Sequence, residues 1–168
     1  EVVLENDSEV ILTTTECLSD EKTIYIRYAS FYKDVEVGDT ILIDDGKILL
    51  EVLEGNQIDT VRTRVFAGGQ LSSRKGVNLP NTKITLPSLT EKDIADAQFA
   101  LDNGIDWLAL SFVRSVKDIA GLKELVKKHK NSALIIAKIE KPEALKEIDE
   151  IIDAADGIMV ARGDLGVE

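Results

Sequence analysis

The sequence predicts an α/β chain with an all-β domain at its front: short strands over residues 1–86, then parallel βα units over 87–168. Two observations carry this. Apolar residues recur with period two up to about Leu86, the signature of half-buried strands. From Leu86 the pattern changes to near-continuous apolar runs starting near residues 106, 133 and 157, separated by stretches of helical period. Such an alternation implies parallel strands buried on both faces beneath helices.

In the first part, Val10-Ile-Leu-Thr-Thr-Thr is rich in β-branched residues, and Lys22-Thr-Ile-Tyr-Ile-Arg places Ile24 and Ile26 on one face. Thr40-Ile-Leu-Ile and Lys47-Ile-Leu-Leu-Glu-Val form a hairpin through Asp45-Gly46, a strong turn signal. Gln57 to Phe66 alternates again and stops at Gly68-Gly69. About seven short strands in so few residues suggest a small barrel or sandwich.

In the second part, Thr90 caps a helix with Asp93 three residues on, and Ile94, Ala97 and Leu101 follow at helical spacing up to Asn103-Gly104. The strand Trp107 to Val113 comes next. Ser115 then caps a helix that runs to about His129. Ala133 to Ile139 is a strand, Pro142 to Ala154 a helix with proline in its first turn, and Gly157 to Arg162 the last strand.

Composition narrows the functional class. Twenty basic against 31 acidic residues give a formal charge of −11. Nucleic acid and anionic membrane surfaces need a positive field, so neither is an expected partner. A phosphorylated substrate stays admissible, because local cations, a metal or backbone amides suffice to hold it. Cys17 is the only cysteine, which leaves no internal disulfide and no thiolate metal cluster. With no signal segment and no membrane-length apolar run, a cytoplasmic location is expected. The chain opens on Glu1, which suggests a processed or excised piece of a longer protein.

Each strand of the second part turns polar at its C-terminal end: Ser111-Phe-Val-Arg114, Lys138-Ile-Glu140 and Arg162-Gly-Asp164. In parallel α/β folds ligands bind at that edge. Lys138 and Glu140 are two apart and share one side of the strand. With neighbouring strands, Asp164 joins them. Two hard carboxylates without His or Cys suit Mg2+ or Mn2+ rather than zinc. Strand-end charges can also be simply solvated, and three in succession weigh against that. Gly163-Asp164-Leu165-Gly166 lets the backbone turn and present N–H groups to an anion, or is an ordinary loop.

Other candidates read more blandly. Asp44-Asp45-Gly46 could bind a metal, but a hairpin turn explains it fully. Arg74-Lys75 is either a phosphate clamp or a pair of linker charges. His129 reads as surface at the end of a lysine-rich helix, Met159 as core, and the acidic run from Glu147 to Asp153 as one face of an amphipathic helix.

Several of these stretches resemble one family, the pyruvate kinases. Ser73-Arg-Lys-Gly-Val-Asn-Leu-Pro80, Leu86-Pro-Ser-Leu-Thr-Glu-Lys-Asp93, Leu110-Ser-Phe-Val-Arg114, Ile136-Ala-Lys-Ile-Glu140 and Ile158-Met-Val-Ala-Arg-Gly-Asp-Leu-Gly-Val-Glu168 occur in the family's order and span nearly the whole chain. The resemblance implies a small β-barrel lid domain over 1–86, followed over 87–168 by three βα units of an incomplete (β/α)8 barrel. It implies phosphoryl transfer from phosphoenolpyruvate to ADP, giving pyruvate and ATP, a glycolytic step of a homotetrameric parent. By position, Lys138 is the catalytic cation. Glu140 and Asp164 hold Mg2+ or Mn2+. Gly163 and Asp164 receive the substrate carboxylate through their amides. Arg74 reaches the nucleotide, Ser111 lies near the monovalent-cation site, and Arg162 tethers its loop. The ligands of the family's potassium ion fall outside this chain. Arg74 stands where lysine is common, and Lys141-Pro-Glu-Ala replaces the family's usual run. A piece of this extent is expected to be inactive alone and to associate through open sheet edges. The runner-up readings are a metal-dependent aldolase or lyase working through a pyruvate enolate, and a binding module without catalysis.

Overall fold

The computed structural model describes residues 1–80 and 82–166. The chain divides into two compact units, Glu1–Thr85 and Leu86–Gly166 among the described residues.

The first unit is built on antiparallel pairing. Its strands are β1 (Val2–Leu4), β2 (Glu9–Thr13), β3 (Thr23–Tyr25), β4 (Thr40–Ile43), β5 (Ile48–Gly55), β6 (Thr60–Ala67), β7 (Gly69–Leu71) and β8 (Val77–Asn78), with one helical turn, α1 (Phe31–Asp34), between β3 and β4. Six strands form a sheet in the order β3-β2-β6-β5-β4-β8, and β1 pairs with β7 in a separate two-stranded ribbon. No ladder joins β3 to β8 among the described residues, so hydrogen bonds between these strands do not close the sheet into a barrel. The pairing of β2 with β3 is parallel.

Alternation does what period two demands. Ile41, Ile43, Ile48, Leu50, Val52, Val61 and Val65 point into one core with Val10, Leu12 and Phe31. Their neighbours on the same strands face outward, where Arg62 joins Glu9 and Glu54 across three adjacent strands. The β4–β5 turn holds Asp44, Asp45 and Gly46 in three successive left-handed conformations. Asp44 spends its carboxylate on Lys47 and Lys75, so the turn reading of this segment holds. Gly68 lets β6 run on into β7 beside β1: a Cβ there would lie 2.1 Å from the Leu4 carbonyl oxygen.

The second unit alternates helix and strand: α2 (Glu91–Asp102), β9 (Trp107–Leu110), α3 (Val116–Lys128), β10 (Leu134–Ile139), a 3-10 segment (Pro142–Glu147) running into α4 (Ile148–Ala154), β11 (Gly157–Val160) and the single turn α5 (Arg162–Leu165). The three strands pair in parallel in the order β11-β10-β9. Thr90 and Asp93 form a reciprocal capping box at the start of α2. The expected helix from Pro142 begins instead as a tighter 3-10 segment, closed by the Ala144 amide on the Lys141 carbonyl.

Burial on both faces is not found. Along β10, Ile135, Ala137 and Ile139 are buried against Ile119, Leu122, Val126 and Ile151 of the helices. The opposite face carries Ile136 and Lys138. Met159, expected in the core, is 44% exposed, and Trp107 is 48% exposed. The reason is topological. β9 and β11 are the end strands of a three-stranded sheet, and the helical core covers one face of it.

Candidate active site

Parallel strands β9, β10 and β11 end at one edge of their sheet, and Ser111, Lys138 and Glu140 come together there. Lys138 and Glu140 alternate with Ile139, whose side chain faces the helical core, so both lie on the face away from that core. Lys138 Nζ lies 2.6 Å from Glu140 Oε1. The same ammonium donates to Ser111 Oγ at the end of β9, 2.9 Å away. The Phe112 amide donates to Glu140 Oε2 at 2.8 Å. The site thus spans two neighbouring strands and joins residues 28 apart in sequence.

Burial sets the character of this cluster. The Glu140 side chain is 1% exposed and that of Lys138 is 26% exposed. A carboxylate so deep is tolerable only when paired and hydrogen-bonded on both oxygens, which Lys138 and Phe112 accomplish. Lys138 uses two of its three N–H donors on protein atoms among the described residues, Glu140 and Ser111. Its third donor is available to an anionic ligand.

Asp164 and Gly163 sit on α5, directly after β11. The Ala161 amide bonds the Ile139 carbonyl, so α5 starts at the edge where Glu140 stands. In this turn the Leu165 and Gly166 amides bond back to Ala161 and Arg162. The amides of Gly163 and Asp164, in the first turn, have no intrahelical acceptor. The Arg162 side chain is exposed and makes no ion pair among the described residues, so the expected tether is not seen there.

Among the described residues no group of three or more His, Cys, Asp or Glu is arranged to hold a metal. The acidic ligands expected here number two, Glu140 and Asp164. Their chemistry fits Mg2+ or Mn2+. Both are hard oxygen donors, and each Glu140 oxygen keeps a lone pair beyond those engaged by Lys138 and Phe112.

Arg74 belongs to the first unit, exposed and in a left-handed conformation. The next residue is held: Lys75 Nζ lies 2.9 Å from Asp44 Oδ1, and the Asp44 amide bonds the Gly76 carbonyl. The lysine raises its own pKa by this pairing and lowers that of Asp44.

Two participants escaped sequence reasoning. Phe112 acts through its backbone amide, which no side-chain pattern reveals. Asp118 accepts the Ser88 hydroxyl and the Arg114 and Ser115 amides. It thereby fixes the turn that leaves β9 and the start of α3. The S-x-x-D spacing of Ser115 and Asp118 was a usable signal for it. Arg114, grouped with the polar strand ends, sends its guanidinium to the Leu86 carbonyl. His129 caps the end of α3, its Nδ1 3.0 Å from the Leu125 carbonyl oxygen.

No helix among the described residues is long and apolar enough to cross a membrane. The family model described as "Pyruvate kinase, barrel domain" matches residues 1–168. The chain is similar to the pyruvate kinase of Geobacillus stearothermophilus, with 46% identity over 169 residues, covering 99% of this chain and 29% of that relative. It is similar to that of Methylorubrum extorquens, with 45% identity over 166 residues, covering 99% and 34%. The match to the Schizosaccharomyces pombe enzyme is 40% over 163 residues, covering 95% and 32%. The chain therefore spans about a third of the length of the curated relatives it matches. A family model matched from end to end, over a chain whose strand ends assemble Lys138, Glu140 and Ser111 at one sheet edge, places this chain in the pyruvate kinase family.

Proposed function

We propose that this chain supplies the lid domain, residues 1–86, and part of the (β/α)8 catalytic barrel, residues 87–168, of an enzyme that transfers the phosphoryl group of phosphoenolpyruvate to ADP, yielding pyruvate and ATP in glycolysis. The observation that carries this reading is the Lys138–Glu140 pair, nearly buried at the carboxyl edge of a parallel sheet and bridged to Ser111 on the next strand.

Phosphoryl transfer asks a protein mainly for positioning and charge. Lys138 provides a fixed cation with one donor left for an oxygen of the transferring phosphoryl group or of the enolate left behind. Glu140 and Asp164 are the residues that would hold Mg2+ or Mn2+. When bound, such an ion neutralises negative charge on substrate oxygens. The first-turn amides of Gly163 and Asp164 receive the substrate carboxylate. Arg74, exposed beside the anchored Lys75, contacts nucleotide phosphates. A potassium ion would take its ligands from residues outside this chain, as would the contacts of a homotetramer. The negative charge of the chain disfavours a polyanionic partner and leaves a small phosphorylated substrate, met in the cytoplasm, to be held by local cations, a metal and backbone amides.

Metal titration of the full-length enzyme tests the assignment, with pyruvate formation coupled to NADH oxidation. Glu140→Gln and Asp164→Asn should each raise the Mg2+ or Mn2+ requirement by about tenfold or more. Titration curves that overlay the wild type would remove both residues from the site. A full-length protein that makes no ATP from phosphoenolpyruvate and ADP but releases pyruvate by metal-dependent carbon–carbon cleavage would favour the aldolase or lyase reading instead.

A further inference from the structure

We propose that the turn Ser111–Phe112 is the positioning element of the Lys138–Glu140 pair, an assignment that rests on the phosphoryl-transfer reading above. Ser111 holds the ammonium and Phe112 holds the carboxylate, and the two contacts together fix the orientation of the pair at the sheet edge.

The geometry is specific. Lys138 Nζ stands between Glu140 Oε1 at 2.6 Å and Ser111 Oγ at 2.9 Å. Phe112 N–H lies 2.8 Å from the other oxygen, Glu140 Oε2. The Phe112 N–H fixes Oε2 and the Ser111 hydroxyl on the neighbouring strand holds the ammonium beside Oε1, so each member of the pair has one partner outside it.

The backbone bears the mark of this arrangement. Phe112 has φ of +54°, a left-handed conformation that bulky residues rarely adopt. Its ring is 49% exposed, so burial of the side chain does not account for the conformation. The left-handed turn coincides with the amide's contact to Glu140. Strain kept beside a reacting group is the pattern of a pre-organised site. Ser111 and Phe112 act through their contacts to the lysine and the glutamate, so they are positioning residues.

Three measurements on the full-length enzyme test the proposal. In steady-state kinetics Ser111→Ala should lower kcat about tenfold with KM for the enol phosphate changed by less than about threefold, and Ser111→Thr, which restores a hydroxyl, should recover most of the loss. Mn2+ binding without substrate, read by electron paramagnetic resonance, should weaken by about fivefold or more in Ser111→Ala and recover in Ser111→Thr. Hydrogen exchange in a peptide spanning 108–115 should quicken about tenfold when Glu140→Gln weakens the acceptor of the Phe112 amide. A Ser111→Ala enzyme within twofold of wild type in both kcat and Mn2+ affinity overturns the proposal. So does equal impairment of the Ala and Thr variants with matching loss of thermal stability, which marks a merely structural role. Should Ser111→Ala fail to fold, the exchange measurement decides, and an unchanged rate counts against the proposal. A wild-type enzyme that makes no ATP defeats the functional reading instead, while the Mn2+ and exchange results still judge the positioning.

Discussion

Replacing Lys138 by methionine separates what the Lys138–Glu140 pair does for catalysis from what it does for folding. In the wild type the almost fully buried Glu140 carboxylate is matched by an ammonium at 2.6 Å and one amide at 2.8 Å. Lys138→Met keeps much of the stem volume and removes the charge, leaving the buried Glu140 side chain with a single N–H partner. Breaking a buried pair from one side costs about 3–5 kcal/mol. Lys138 is about a quarter exposed, so water reaches its side of the pair and the lower end of that range, about 3 kcal/mol, is expected. For a barrel of about 250 residues this amounts to a drop in Tm of about 6–12 °C. Turnover should fall about a hundredfold or more, because a cation aimed at developing charge acts on the transition state. KM for phosphoenolpyruvate should move far less. The double variant Lys138→Met with Glu140→Gln removes the stranded charge. It should regain about 2 kcal/mol of stability and none of the activity. Thermal melts and the coupled pyruvate assay read the two effects separately. A single variant that melts like the wild type would refute the stability reasoning. A loss confined to KM would refute the catalytic role.

Gly68→Ala should unfasten β1 from β7, because the new methyl would sit 2.1 Å from the Leu4 oxygen and 2.9 Å from its carbon. Burial of Leu4 and Leu71 depends on that ribbon, so a cost of about 3 kcal/mol or more is expected in a thermal melt. Asp118 supplies a pH-dependent term. Burial pushes its carboxyl up, but hydrogen bonds from Ser88 and from the Arg114 and Ser115 amides outweigh this and leave it below the usual range. A depressed carboxyl stabilises fully above its unfolded pKa of about 3.9, and the benefit is lost as pH falls from there through the folded value. Asp118→Asn should therefore be less stable at neutral pH, with the gap to wild type closing below about pH 4, as followed by melts across pH. Residues 1–168 produced alone should make no pyruvate and should self-associate, since β9 and β11 are end strands bearing exposed Trp107, Ile158 and Val160. A monodisperse monomer by light scattering would contradict that.

The features legible in the residue string are those made by neighbours along the chain. Thr90 meets Asp93 within a single helical turn, so a spacing of three residues was enough to place the start of α2, while Ser115 alone marked the start of α3. Asp45-Gly46 announced its hairpin because few residues accept three left-handed conformations in a row. The order of β9, β10 and β11 followed from alternating strand and helix, which leaves parallel neighbours as the simplest packing. Identity of the strand-end residues was enough to nominate Lys138, Glu140 and Ser111. Other features depend on groups far apart in sequence. Phe112 meets Glu140 across 28 residues through a backbone amide, and an amide carries no side-chain signature. The parallel pairing of β2 with β3 required the chain to double back through residues 14–22, which periodicity does not record. Met159 reads as core because its strand is apolar. Whether an apolar strand is buried depends on what lies against both its faces and both its edges, and that is a property of the packed sheet.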